Sequence, residues 1–336
     1  MQKLVKYIIM FTSVFNKKGE FIMNKKVVVL GGGTGLSYLL RGLKQFPVDI
    51  TAIVSVCDDG KSTGRLREEF HQPAVGDIRR VLVALSETEP LVEKLLNYRF
   101  KTTSDLDGHT VGNLLLTAMT NITGNMSVGI KSLGKVLNLK GNVVPFSEDN
   151  AILMGEMIDG TIIEGEHSIT ECNKKIKRVF YKEEPKVSKE AINAIKNADL
   201  VVLSMGSLFT SIIPNLICKE IIDTIDNSKA KIMYCCNIVT QPGETDDFRA
   251  SDHINLLNSY LGKRKIDVGI FNKEQMDPKL VLKYETEEQK DPVILDKENL
   301  GDLTIIEDDL ITDIDGTFKH DTIRLAFNIF EYLLRK

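Results

Sequence analysis

The chain lacks the charge excess of a nucleic-acid binder. Its 336 residues carry 43 Lys and Arg against 47 Asp and Glu, a net charge of -4, whereas nucleic-acid-binding surfaces show a basic stripe. It also lacks cysteines at metal-binding spacing. Cys235 and Cys236 adjoin in an apolar run and the other three are far apart, which reads as reduced, buried thiols of a cytosolic protein. Internal repeats and low-complexity linkers are missing. The apolar stretch from Tyr7 to Phe15 is too short to span a bilayer, and no small-residue cleavage site follows it. Met23-Asn24-Lys25-Lys26 reads as a natural start, so residues 1–22 are expected to form an extension outside the fold and residues 23–336 a single domain. With 43% hydrophobic and 27% charged residues, the composition allows a sizeable core.

What the chain does have is a strand–glycine–helix stretch. Val27-Val28-Val29-Leu30 reads as a short buried strand. Gly31-Gly32-Gly33-Thr34-Gly35 follows at once, and Leu36, Leu39, Leu40 and Leu43 then recur at helical spacing. This is the arrangement that cradles a phosphate: glycines allow close approach, and the free N–H groups and dipole of the new helix face the anion. Gly31 and Gly33 fill two positions of G-x-G-x-x-G, but Leu36 stands where the third small residue belongs. The kind of nucleotide is therefore not set by the loop.

A second β-rich run, Ile50 to Val56, completes a βαβ unit and implies a parallel sheet. It ends in Cys57-Asp58-Asp59-Gly60-Lys61. Asp58 and Asp59 are expected at the carboxyl end of this strand, where such sheets bind ligands, to hold a ribose hydroxyl or a magnesium ion. Helices are predicted from Gly76, with Asp77 as its cap, from Pro90, after Gly108-His109, and over Met126 to Leu139. His109 and Asn113 fall near a helix start. Short strands between residues 142 and 182 predict a small β-rich insertion. The α/β pattern returns with a helix from Ser188, a strand ending before Ser204-Met205-Gly206-Ser207, and another ending before Asn237 to Asp246, which contains Thr240, Gln241 and Glu244. Tyr284 to Asp291 reads as a solvated loop. A last helix over His320 to Leu334 is expected to bury Ile323, Phe327, Phe330 and Leu334. Thr322 lies at its start, where an added phosphate would gain from the helix N-terminus, which marks it as a candidate regulatory site.

Taken in order, Gly31 to Leu36, Asp58-Asp59-Gly60, Gly76-Asp77-Ile78-Arg79, Gly108-His109 with Gly112 to Leu115, Ser207 to Asn215 and Thr240 to Asp246 closely resemble the YvcK branch of the CofD/YvcK family, the gluconeogenesis factors. The resemblance runs from about Lys25 to the C-terminus. It implies a Rossmann-like, mostly parallel α/β sheet flanked by helices. It further implies a cytoplasmic bacterial protein that binds UDP-sugars, notably UDP-N-acetylglucosamine, and is needed for cell shape and for growth on gluconeogenic carbon sources. Cell-wall synthesis proteins and a second copy of the chain are the expected partners. By the same resemblance, Tyr284 and Lys319 match nucleotide-sugar contacts. Three departures stand out: Lys61 replaces a glycine, Ser204-Met205-Gly206-Ser207 replaces Gly-Pro-Gly-Ser, and Lys319 replaces an arginine. Lys61 can meet a phosphate as a point charge, while Lys319 loses the bidentate fork.

Three function classes stay open. The first is a nucleotide-sugar-binding regulatory protein. The second is a transferase like the CofD branch, which moves 2-phospholactate from a nucleotide diphosphate carrier to a deazaflavin with magnesium. The third is a nicotinamide-dependent oxidoreductase, ranked last because of the missing third glycine and the lack of a proton-relay histidine.

Overall fold

The computed structural model describes residues 25–87, 90–172, 174–314 and 317–335, with their side chains except those of Lys61, Asp313 and Ile314. The extension expected over residues 1–22 lies outside the described residues. The valine run forms β1 (Lys26–Gly31). It is followed by α1 (Gly33–Leu43), β2 (Asp49–Val54), α2 (Lys61–Phe70), α3 (Gly76–Leu85), α4 (Pro90–Asn97), α5 (Val111–Thr123), α6 (Met126–Val136) and β3 (Asn142–Pro145). An insertion holds β4 (Leu153–Met157), β5 (Ile162–Glu164), α7 (Glu166–Glu171) and β6 (Ile176–Tyr181). The alternation returns with α8 (Lys189–Lys196), β7 (Leu200–Leu203), α9 (Lys219–Asn227), β8 (Lys231–Cys235), α10 (Ala250–Tyr260) and β9 (Val268–Asn272). Then come α11 (Pro278–Lys283), β10 (Thr304–Asp308), the hairpin strands β11 (Ile311–Ile314) and β12 (Thr317–His320), and α12 (Thr322–Leu334).

Seven strands form the main sheet in the order β10-β9-β8-β7-β1-β2-β3, all paired in parallel. β1 is an interior strand, next to the middle one: Val27 pairs with Ile50 on one side and Leu200 on the other. Val27, Val29 and Leu30 are fully buried, as a continuous apolar run requires when helices cover both faces of a parallel sheet. The strand order reverses direction at β1. β2 and β3 build outward on one side and β7 to β10 on the other, so the crevice between the ends of β1 and β7 is a topological switch point. Helix starts follow local chemistry. Thr110, Asn125 and Ser188 each accept a backbone N–H of the first turn, of Asn113, Val128 and Ala191 respectively.

The structure corrects four expectations. β3, expected within the insertion, pairs with β2 at the edge of the main sheet; the insertion proper is the antiparallel sheet β5-β4-β6 with α7. The stretch from Tyr284 is a helical turn over Tyr284–Glu288, and Tyr284 is buried. In α12 the core face is Leu325, Ala326, Ile329, Phe330 and Leu333, while Ile323 is exposed. That helix lies against α1, which draws its inward stripe to the residues facing Gly42 and Phe46. Finally, Asp77 does not cap its own helix, as described below. No helix among the described residues is long and apolar enough to cross a membrane.

Candidate functional site

The glycine loop lies at the switch point. Gly32 is extended and Gly33 has φ +61, a left-handed conformation that favours glycine. At Gly35 a Cβ would fall 2.0 Å from the Met205 carbonyl oxygen, so the loop after β1 and the loop after β7 touch there. Gly33 is half-buried and Thr34 exposed, which leaves the start of α1 open. Asp77 sits at the second position of α3, whose N-cap, Val75, has no side-chain hydrogen bond. Its carboxylate instead crosses to α1, where Oδ2 accepts the Gly33 N–H at 2.5 Å, while Oδ1 pairs with Arg80 at 2.8 Å. The packing of α3 on α1 brings the Gly33 amide within its reach. Burial, reinforced by the neighbouring Asp58 charge, pushes the Asp77 carboxyl up to about 6.

Asp58 organises the start of α2. Its Oδ1 accepts the Gly60 N–H at 2.9 Å and its Oδ2 the Thr63 hydroxyl at 3.0 Å. A side chain at Gly76 would strike this carboxylate, since a Cβ would lie 2.4 Å from Oδ2. Asp59 turns to the insertion, where its Oδ1 accepts the His167 N–H at 2.8 Å and Gly165 passes against Oδ2. Lys61 opens α2, and its side chain is outside the described set. Among the described residues no group of three or more His, Cys, Asp or Glu is disposed to hold a metal ion. Both oxygens of Asp58 are bonded to their own loop and helix.

The loops after β7 and β8 interlock. Glu244 Oε2 accepts the Ser207 hydroxyl at 2.6 Å and the Phe209 N–H at 3.3 Å. Burial raises the Glu244 carboxyl above the usual carboxylate range. Asn237 clamps Gly206 through both its amide atoms, each at 2.8 Å. Thr240 bonds reciprocally with the backbone of Asp291, and the Gln241 N–H donates to Thr245. Gln241 Oε1 is buried with no partner among the described residues.

The remaining residues divide. His109 Nδ1 and Asn113 Nδ2 both meet the Ser62 hydroxyl, at 3.0 and 3.2 Å, behind the Asp58 loop. Burial holds His109 below the usual histidine range. Lys319 Nζ lies 5.7 Å from the centroid of the Tyr38 ring on α1, one turn beyond Thr34. The Tyr284 hydroxyl accepts the Phe318 N–H at 3.0 Å. Thr322 is half-buried at the first position of α12. The Ile323 and Arg324 amides there already donate to Asp321, so a phosphate on Thr322 would compete with that cap.

Sequence reasoning missed Glu166. It is half-buried, and burial together with the charges of Asp77, Asp58, Asp59 and Glu244 holds its carboxyl well above the usual range. Nothing in its neighbourhood in the sequence signals this, because contacts distant in sequence, the Asp59 bond to His167 N–H among them, place the insertion at the site. Asn237 was also missed, although its place directly after a strand of the sheet was a usable signal.

Comparison with known proteins agrees with this architecture. The family model described as 2-phospho-L-lactate transferase CofD matches residues 27–311. The chain is 47% identical over 310 residues to a "Gluconeogenesis factor" of Halalkalibacterium halodurans, covering 91% of this chain and 96% of that one. It is 46% identical over 311 residues to the "Gluconeogenesis factor" of Bacillus subtilis, covering 92% and 98%. A crystal structure of a Bacillus halodurans protein superposes with a TM-score of 0.88 at 46% identity, covering 92% of this chain and 100% of that one.

Proposed function

The chain belongs to the CofD family, in its branch of gluconeogenesis factors, and from that premise we propose that it binds UDP-N-acetylglucosamine at the switch-point crevice without consuming it. The observation that carries this reading is the meeting of the open N-terminus of α1 with the polar loops after β2, β7 and β8. The diphosphate lies against Gly31 to Gly35, where backbone donors and the helix dipole favour negative charge. The uridine and sugar extend towards Asp58, Asn113 and the Thr240 to Glu244 loop, with Lys319 beside α1. In this reading the protein is a cytoplasmic sensor that adjusts cell-wall synthesis, and through it cell shape, to the nucleotide-sugar supply on gluconeogenic carbon.

The test is calorimetric titration with UDP-N-acetylglucosamine, followed by long incubation with the nucleotide and magnesium and then chromatography. Saturable binding with full recovery of the nucleotide sugar is expected. Protein-dependent loss of it would overturn the sensor reading in favour of a transferase or hydrolase. Absence of binding, with turnover of a 2-phospholactate carrier and a deazaflavin instead, would assign the activity of the CofD branch.

A further inference from the structure

One backbone donor of the glycine loop is already taken. Gly33 N–H donates to Asp77 Oδ2 at 2.5 Å, from a carboxylate that α3 carries 44 residues further along the chain. The contact is tight on the neighbouring residue as well, because a Cβ on Gly32 would lie 2.8 Å from the same oxygen. Beside this bond two buried hydroxyls, Ser55 Oγ and Ser204 Oγ, have no hydrogen-bond partner among the described residues. Ser55 sits 3.5 Å by its Cβ from the position a Gly32 Cβ would take, and Ser204 Oγ borders Gly31. Buried hydroxyls of this kind are ordinarily bonded. Here they stand unused next to a loop whose amide holds an internal anion.

We propose that Asp77 is a built-in competitor, its Oδ2 keeping on the Gly33 amide the place of a ligand phosphate oxygen until ligand displaces it onto Arg80. The inference rests on the reading that a diphosphate docks on this loop. Arg80 is suited to receive the carboxylate, since it already holds Oδ1 at 2.8 Å and is itself half-exposed. The other charges around Asp77 are divided. Asp58 from the loop after β2 and Glu166 from the insertion both repel it, whereas Arg80 and Arg79 on its own helix attract it. A protein whose site is occupied from within binds its ligand at an affinity reduced by the fraction of molecules in the open state.

Asp77→Asn keeps the shape and removes the competing charge. Calorimetry with two probes, UDP-N-acetylglucosamine and inorganic pyrophosphate, is expected to show about tenfold tighter binding of both to this variant, the factor one charge-assisted hydrogen bond is worth. Arg80→Gln, on a half-exposed side chain, keeps the test open if Asp77→Asn does not fold. It is expected to weaken both probes in the otherwise native protein, because the displaced carboxylate loses its acceptor site. In the Asp77→Asn background it is expected to have no effect. Binding to Asp77→Asn that is equal to or weaker than native would overturn the competitor role and leave the proposed function standing, as would an unchanged Arg80→Gln. Failure of the native protein and of both variants to bind either probe would overturn the competitor role and the proposed ligand together.

Discussion

Single atoms at Gly35 decide whether two loops can meet. The Met205 carbonyl oxygen lies 2.0 Å from where a Cβ would be, with the Met205 carbonyl carbon at 2.7 Å. Both are backbone atoms, so the conflict has no flexible side chain to yield. Gly35→Ala is therefore expected to lower stability by about 1–3 kcal/mol, as overpacking does, measured by urea denaturation. His253 presents the opposite case, a polar group buried without charge. Its Nδ1 meets the Tyr234 hydroxyl at 3.0 Å and its ring is fully buried. Burial lowers its pKa to about 4. The unfolded chain takes up that proton near the ordinary histidine value and the folded chain does not. The contribution of His253 to stability is thus intact above about pH 6.5 and declines as the pH falls towards about 4. The melting temperature of the native protein, followed relative to His253→Gln, is expected to fall over that window. A flat difference would show that the histidine is protonated inside the fold.

At the scale of elements, what was legible depended on whether the cause was local. The β1–α1 unit could be read because the apolar run, the glycines and the leucine spacing are contiguous, and α8 because Ser188 caps it. The four polar loops at strand ends were likewise visible as sequence. The partner of Asp77 was not, because it lies on α1 and only the packing of two helices brings it near. The inward face of α12 was misjudged because Ile323 and Leu325 are both apolar, and contact with α1 alone chooses between them. Strands β10 to β12 went unread because Ile305 and Ile306 stand among acidic residues without a sustained alternation. The insertion is tied to the site by the same kind of distant contact, the Asp59 bond to His167 N–H. Asp59→Ala is expected to loosen it. Hydrogen exchange should speed up across Leu153–Met157 and Ile162–Glu164 while β1 and β7 keep their protection. Equal protection in the variant would show that the other contacts of the insertion, the Ile176 and Tyr181 hydrogen bonds among them, hold it without Asp59.

At the scale of the whole molecule, the sheet is assembled from both halves of the chain. The place of β1 between β2 and β7 has a consequence for how the protein is made. Its pairing with β2 closes over a short stretch, Val27 to Ile50, whereas its pairing with β7 joins Val27 to Leu200. On a ribosome adding ~5–20 residues per second, the second edge of β1 waits roughly ten to thirty seconds for its partner. During that interval a strand of valines is covered on one side only, the kind of edge that recruits other chains. The order of events should survive in refolding from denaturant, because closing the long loop is the slower step. In pulse-labelled hydrogen exchange, the Ser55 amide, which donates to Gly31, is expected to gain protection before the Ser204 amide, which donates to Leu30. Newly synthesised chains stalled before Leu200 should therefore depend on a chaperone that shields an open strand, and chains released beyond β7 should not.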